Sequence, residues 1–199
     1  MIRHPQTSRA DYEAIQRART EAKWTLNGVT REEVIWYRDN LPSAPAEGPI
    51  LCLGVRNGRE VDLFRTLFTE HYETDLPAGE LRYVPEVQGV ELHPDGARPD
   101  VWVGSFDAMP AEWAGRFRLL YSNALDHAYD PEATAREWRR VAAPGAWLAL
   151  SIHEGAEPTE TDPIGDITHA DIEAWFPGVD FRGAVERANR VHWQLWRLP

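Results

Sequence analysis

Leu51-Cys52-Leu53-Gly54-Val55-Arg56-Asn57-Gly58-Arg59-Glu60 is the stretch that decides the fold of this chain. Residues 49–54 are apolar without polar alternation, the pattern of a parallel strand covered on both faces. From residue 60 to 72, Val61, Leu63, Phe64, Leu67 and Phe68 fall at helical spacing. Two glycines between such a strand and such a helix let the backbone approach a ligand closely. A lone Gly-x-x-x-Gly is also the mark of a ligand-free strand-to-helix turn, so the surrounding order of elements has to decide.

Downstream, strands are expected at 87–92, 101–104, 117–122 and 147–152, with a helix at 131–141. Strand and helix alternating in this way predict a parallel α/β sheet. The tail reads as a helix at 169–176 and two strands, 179–185 and 192–198, joined by a turn at 186–190 into a hairpin. Upstream, residues 11–40 carry two helical patterns, Tyr12, Ile15, Ala18 and Ala22, then Val34, Ile35, Tyr37 and Leu41, separated by Asn27-Gly28. A Pro/Gly/Ser/Ala connector fills 41–48, which a helix cannot cross intact. The expected division is a helical cap with connector at 1–48 and the sheet domain at 49–199.

With 199 residues and a hydrophobic fraction of 43%, the chain suits one domain with a substantial core. Its 32 acidic and 21 basic residues give a formal net charge of -11, which argues against a charge-driven grip on nucleic acid or an anionic membrane. No apolar run reaches the roughly 20 residues of a membrane span, and no signal peptide is recognisable. The single cysteine, Cys52, excludes an intrachain disulfide and fits a reducing, cytoplasmic setting. Most of the nine tryptophans are expected in the core, a few lining a cavity.

From about residue 49 to 152 the chain resembles the class I S-adenosylmethionine (SAM)-dependent methyltransferases, in particular bacterial small-molecule members with a short glycine turn and an Asp-His pair after the fourth strand. The residues that carry the likeness are Gly54 and Gly58, Gly89-Val90-Glu91-Leu92-His93, Gly104-Ser105-Phe106-Asp107-Ala108-Met109-Pro110, Ser122-Asn123-Ala124-Leu125-Asp126-His127, and the helix before Pro144-Gly145. The resemblance implies a Rossmann-like sheet of seven mostly parallel strands, the last antiparallel, with SAM as cofactor. It implies that Glu91 binds the ribose hydroxyls and that Asp107 faces the adenine amino group, flanked by Phe106 and Ala108. It also assigns Arg56, Asn57, Leu92, Ser122 and Asn123 to the cofactor site. Asp107 in isolation reads as well as a turn or N-cap aspartate. Two positions depart from the family pattern: Cys52 stands where an acid is usual and Arg56 where a glycine is usual. Arg56 either crowds the methionine moiety or binds its carboxylate.

Methyl transfer is an in-line displacement, so the protein positions the nucleophile and, for a hydroxyl, removes its proton. His127 is the expected base with Asp126 as its orienter, and His153 should emerge beside it if the fourth and fifth strands are neighbours. His127 as a capping or packing residue remains the alternative. His153, Glu154, Asp162, Asp166 and His169 lack the regular spacing of a metal site and are read as a solvated acidic loop, with no metal assigned. That loop, 154–168, together with the N-terminal helices, is a candidate lid that closes Trp24 or Trp36 over a substrate.

The expected function is therefore methyl transfer from SAM to oxygen or nitrogen of a small molecule, with neither nucleic acid nor membrane as partner and a homodimer compatible with the small cap. A second expectation keeps the fold without methyl transfer, on the strength of Cys52 and Arg56. A nicotinamide-dependent oxidoreductase is the third, disfavoured by the missing third glycine.

Overall fold

A computed structural model describes residues 8–26, 28–42, 48–75 and 84–199. Asn27, the connector at 43–47 and residues 76–83 of the stretch between the first helix and second strand of the sheet lie outside them. Strand β1, Ile50–Leu53, is buried at every position, as a parallel strand covered on both faces requires. Its even residues Ile50 and Cys52 face one apolar layer and its odd residues Leu51 and Leu53 the other.

Around β1 the sheet grows in both directions: α3 (Arg59–Asp75), β2 (Val87–Glu91), β3 (Val101–Val103), β4 (Phe117–Ser122), α4 (Pro131–Val141), β5 (Ala142–His153), α5 (His169–Trp175), β6 (Asp180–Glu186) and β7 (Val191–Arg197) follow in chain order. The seven strands lie in the order β3-β2-β1-β4-β5-β7-β6. β1 pairs in parallel with β2 and β4, β4 with β5, and β7 runs antiparallel to both β5 and β6. This is the expected seven-stranded, mostly parallel sheet with an antiparallel end. The strand order reverses at β1, so a crevice opens above the carboxyl ends of β1 and its neighbours β2 and β4.

β5 starts five residues earlier than the sequence predicts. Phe117 pairs with Ala142 and Leu119 with Trp147, so Pro144 and Gly145 bulge out of a continuous strand instead of preceding it. Gly145 takes a φ of 66° there, a conformation open to glycine at little cost. α4 begins where Asp130 accepts from the backbone N–H groups of Glu132 and Ala133, with Pro131 in its first turn.

The N-terminal segment forms α1 (Arg9–Ala22) and α2 (Arg31–Asn40). α2 joins the layer of α3: Val34 and Tyr37 are fully buried beside Phe64 and Leu67, and the Tyr37 hydroxyl donates to the Leu150 carbonyl at 2.7 Å. α1 departs from its apolar stripe. Ala18 and Ala22 are exposed, and the buried positions are Tyr12 and Gln16. α1 covers no core; it lies over the crevice, where polar side chains find partners.

Candidate cofactor and active site

The turn after β1 alternates conformations, with Gly54, Arg56 and Gly58 all at positive φ (82°, 47° and 82°). A Cβ on Gly54 would lie 2.8 Å from that of Ala124 in the loop after β4, so only glycine lets the two loops close on each other. Arg56 occupies the left-handed region without being glycine, which costs about 1 kcal/mol. The cost is offset by what the conformation achieves: its backbone N–H donates to Glu91 Oε2 at 2.6 Å, and its guanidinium donates to the carbonyls of Lys23 and Leu26. The guanidinium thus reaches toward the segment after α1. Asn57 does the same, its Nδ2 donating to the Trp24 carbonyl at 2.8 Å.

Glu91, at the tip of β2, is 4% exposed. Its second oxygen accepts from the backbone N–H of His93 at 2.9 Å. One carboxylate therefore holds the glycine turn and the β2 end together while lining the crevice. The cleft contains about 930 Å³ of empty space, its open mouth included. Leu92, Gly104, Ser105 and Phe106 form one end, Val90, Glu91 and Gly54 the middle, and Arg56, Asn57, Glu60, Asn123 and Ala124 the other, with His127 and α1 alongside.

α1 runs across this cleft. Arg9, Tyr12, Gln16 and Arg19 recur at spacings of one helical face, and each has a partner beyond the strand ends. The Arg9 guanidinium donates to Asp107 at 2.5 Å and to Ser105 at 3.0 Å. The Tyr12 hydroxyl donates to the His127 carbonyl, and Gln16 to the Thr161 carbonyl at 2.7 Å. Arg19 sits 3.0 Å from Asp162. The face escapes a search for apolar periodicity because its residues are polar.

His127 is largely buried, and its Nδ1 lies 2.9 Å from both Asp162 Oδ1 and the Thr161 carbonyl. Asp126, the expected orienter, is 3.7 Å from Nε2. Burial pulls the imidazole down, but Asp126 and Asp162 outweigh it and leave it above its ordinary value. Against the opposing effect of its own burial, His127 and Arg19 hold Asp162 well below the usual carboxylate range. Asp126, His127 and Asp162 bring potential metal-ligand atoms within 4.8 Å of one another. The cation beside Asp162 in this structure is the Arg19 guanidinium.

Of the residues singled out in the sequence, Gly54, Arg56, Asn57, Glu91, Leu92, Phe106, Asn123 and His127 meet in the cleft. Gly58 is buried behind the turn, where a Cβ would lie 2.4 Å from Arg98. The Asp107 side chain, 3% exposed, is gripped by Arg9. Ala108 lies beyond it, outside the lining. Ser122 is internal, donating to the Leu53 carbonyl and accepting from Ala124 N–H. His153 ends β5 exposed, away from the cleft. Among the described residues no tryptophan lines the cleft: Trp24 faces His93, and Trp36 packs on Tyr37 and Trp193. Asp162, Arg19 and Glu60 are the residues of this site that sequence reading missed or placed elsewhere. Asp162 sits in an irregular loop, Arg19 on a helix read for its apolar stripe, and Glu60 at a position that reads as an ordinary first-turn acid.

No family model and no curated protein match the sequence. Solved structures match its fold. The Burkholderia thailandensis 1,6-didemethyltoxoflavin-N1-methyltransferase, solved with 1,6-didemethyltoxoflavin and S-adenosylhomocysteine, is 13% identical at a TM-score of 0.63, over 99% of this chain and 93% of that one. A SAM-dependent methyltransferase from Aquifex aeolicus is 11% identical at a TM-score of 0.57, over 98% and 100%. The cyclase SpnF is 11% identical at 0.61, over 88% and 85%. The chain has the fold of the class I SAM-dependent methyltransferases, and among its described residues no helix is long and apolar enough to cross a membrane.

Proposed function

We propose that this protein is a methyltransferase that binds SAM in the cleft between Phe106 and Asn123 and methylates oxygen or nitrogen of a small molecule. The observation that carries this reading is Glu91: a nearly buried carboxylate at the β2 tip, tied to the glycine turn and lining the cleft. The cleft has room for the group, with about 930 Å³ of empty space including its open mouth, and Gly54 brings the turn of β1 against Ala124 with no side chain between them. Glu91 would hold the ribose hydroxyls, Phe106 and Leu92 the adenine ring, and the turn at 54–58 the amino-acid tail. Bound there, SAM supplies an electrophilic methyl group. A net charge of -11 supports a small acceptor over a nucleic acid. Calorimetric titration with SAM and S-adenosylhomocysteine tests the reading. Micromolar binding is expected, and absence of binding to both would overturn it.

We assign to His127 the removal of the acceptor's proton, at Nε2, with Nδ1 hydrogen-bonded to the Thr161 carbonyl and paired with Asp162. Asp162 thereby assumes the orienting role expected of Asp126. In NMR titration, the His127 midpoint is expected to fall in Asp162→Asn, because the variant loses a carboxylate that favours imidazolium. An unchanged midpoint would remove Asp162 from that role.

α1 is the lid of the cleft, and its Arg9 competes with adenine for Asp107. Arg9 is 41% exposed and Asp107 3%, so the pair contributes about 1 kcal/mol. Arg9→Ala is accordingly expected to tighten S-adenosylhomocysteine binding about 5-fold. Weaker binding would mean that Arg9 supports the site instead of blocking it. The same Arg9–Asp107 pair favours the second reading, a protein of this fold that does not transfer methyl groups; SAM bound without turnover across an acceptor screen would support it.

A further inference from the structure

β1 has Cys52 two residues before Gly54, a thiol that burial pushes well above its ordinary value and that therefore stays neutral. The cleft holds a carboxylate at this end all the same. Glu60, in the first turn of α3, is 6% exposed and lines the cleft beside Arg56, Asn57 and Asn123. Asn123 hydrogen-bonds it. The groups that act on it electrostatically come from several elements: Arg56 from the turn and Glu33 from α2 act on Glu60, and Glu60 itself raises Cys52 of β1. Arg56 is turned to the carbonyls of Lys23 and Leu26, and no ion pair reaches Glu60 among the described residues. A carboxyl so deeply buried in a ligand cleft, with no ion pair among the described residues, is a group that a cationic ligand would hold ionised.

We propose that Glu60 is the counterion of the α-ammonium group at the amino-acid end of the cofactor, replacing from α3 the acid that β1 lacks. The assignment rests on SAM being the ligand of the cleft. It makes Glu60 the residue that distinguishes ligands with an amino-acid tail from nucleosides without one. It also couples binding to a proton. Burial pushes Glu60 up to about 7, so near neutrality about half of the free protein carries a neutral carboxyl there. An ammonium beside it keeps the group ionised, and the proton leaves for solvent.

Calorimetry at pH 7 tests this with wild type and Glu60→Gln, using S-adenosylhomocysteine and 5′-methylthioadenosine, which has the nucleoside thioether but no amino-acid tail. Each titration is run in two buffers of different ionisation enthalpy. Glu60→Gln is expected to weaken S-adenosylhomocysteine binding about 10-fold or more and to leave 5′-methylthioadenosine within about 2-fold. Wild type should release on the order of half a proton with S-adenosylhomocysteine and none with 5′-methylthioadenosine, and the variant none with either. Gln is isosteric and keeps the Asn123 partner, and proton release in wild type needs no variant. Equal weakening of both ligands would make Glu60 a structural residue and overturn the assignment, as would unchanged S-adenosylhomocysteine affinity or no proton release. Wild type that binds neither ligand would overturn the cofactor reading and this assignment with it.

Discussion

Glu91→Ala is expected to weaken S-adenosylhomocysteine binding about 100-fold or more, with the protein still folded. Two losses add. On the proposed reading the variant loses charge-assisted hydrogen bonds to two ribose hydroxyls, each contributing about 1.5 kcal/mol or more. It also frees the backbone N–H of Arg56 and of His93, which Glu91 holds at 2.6 and 2.9 Å. The turn at 54–58 then loses the anchor that keeps Arg56 in its left-handed conformation, and that end of the cleft loses its shape. About 3 kcal/mol corresponds to the 100-fold effect. Glu91→Gln separates the two contributions, since its carbonyl oxygen still accepts from one N–H. Calorimetry on both variants checks the expectation, and an affinity within about 3-fold of wild type in Glu91→Ala would remove Glu91 from the site.

The second large effect is on stability. Trp138, fully buried on the inner face of α4, packs edge-on against Phe106 with ring centroids 5.7 Å apart and donates its indole N–H to the Phe106 carbonyl at 3.0 Å. Beside it, Glu137 accepts from Met109 N–H, and Arg140 donates to the Met109 and Pro110 carbonyls. α4 thus moulds the whole loop after β3. Trp138→Ala is expected to cost about 4 kcal/mol through lost burial and the cavity left behind. For a chain of this size that lowers Tm by about 12 °C in calorimetric melting. Trp138→Phe keeps most of the packing and leaves the Phe106 carbonyl without its donor, for about 2 kcal/mol. Equal melting temperatures for wild type and Trp138→Ala would mean that the loop after β3 holds itself in place.

These two residues differ in how far a sequence reveals them. Glu91 is legible because hydrophobic pattern locates the second strand that it ends, and the resemblance to the methyltransferases then singles out the acid at that strand's tip. Trp138 is legible as core, but its grip on Phe106 spans 32 residues and depends on α4 packing against the loop after β3. Asp107 shows the converse. Its position after β3 follows from the sequence, yet its carboxylate turns to Arg9, 98 residues away, because α1 crosses the strand ends.

By itself the sequence determined what repeats or caps locally: the alternating strands and helices, the glycine turn of β1, the Asp130-Pro131 start of α4 and the acid at the end of β2. The periodicity of side chains along a helix or strand is a property of neighbouring residues, so it can be read without knowing the partner. Only the tertiary structure decided which polar groups complete one another. It placed Asp162 against His127, folded α1 polar side down across the cleft, left Glu60 inside with no ion pair among the described residues, and sent His153 out of the site. Strand order and register bring residues far apart in the chain within hydrogen-bond reach, and a polar side chain carries no local mark of which distant group will satisfy it.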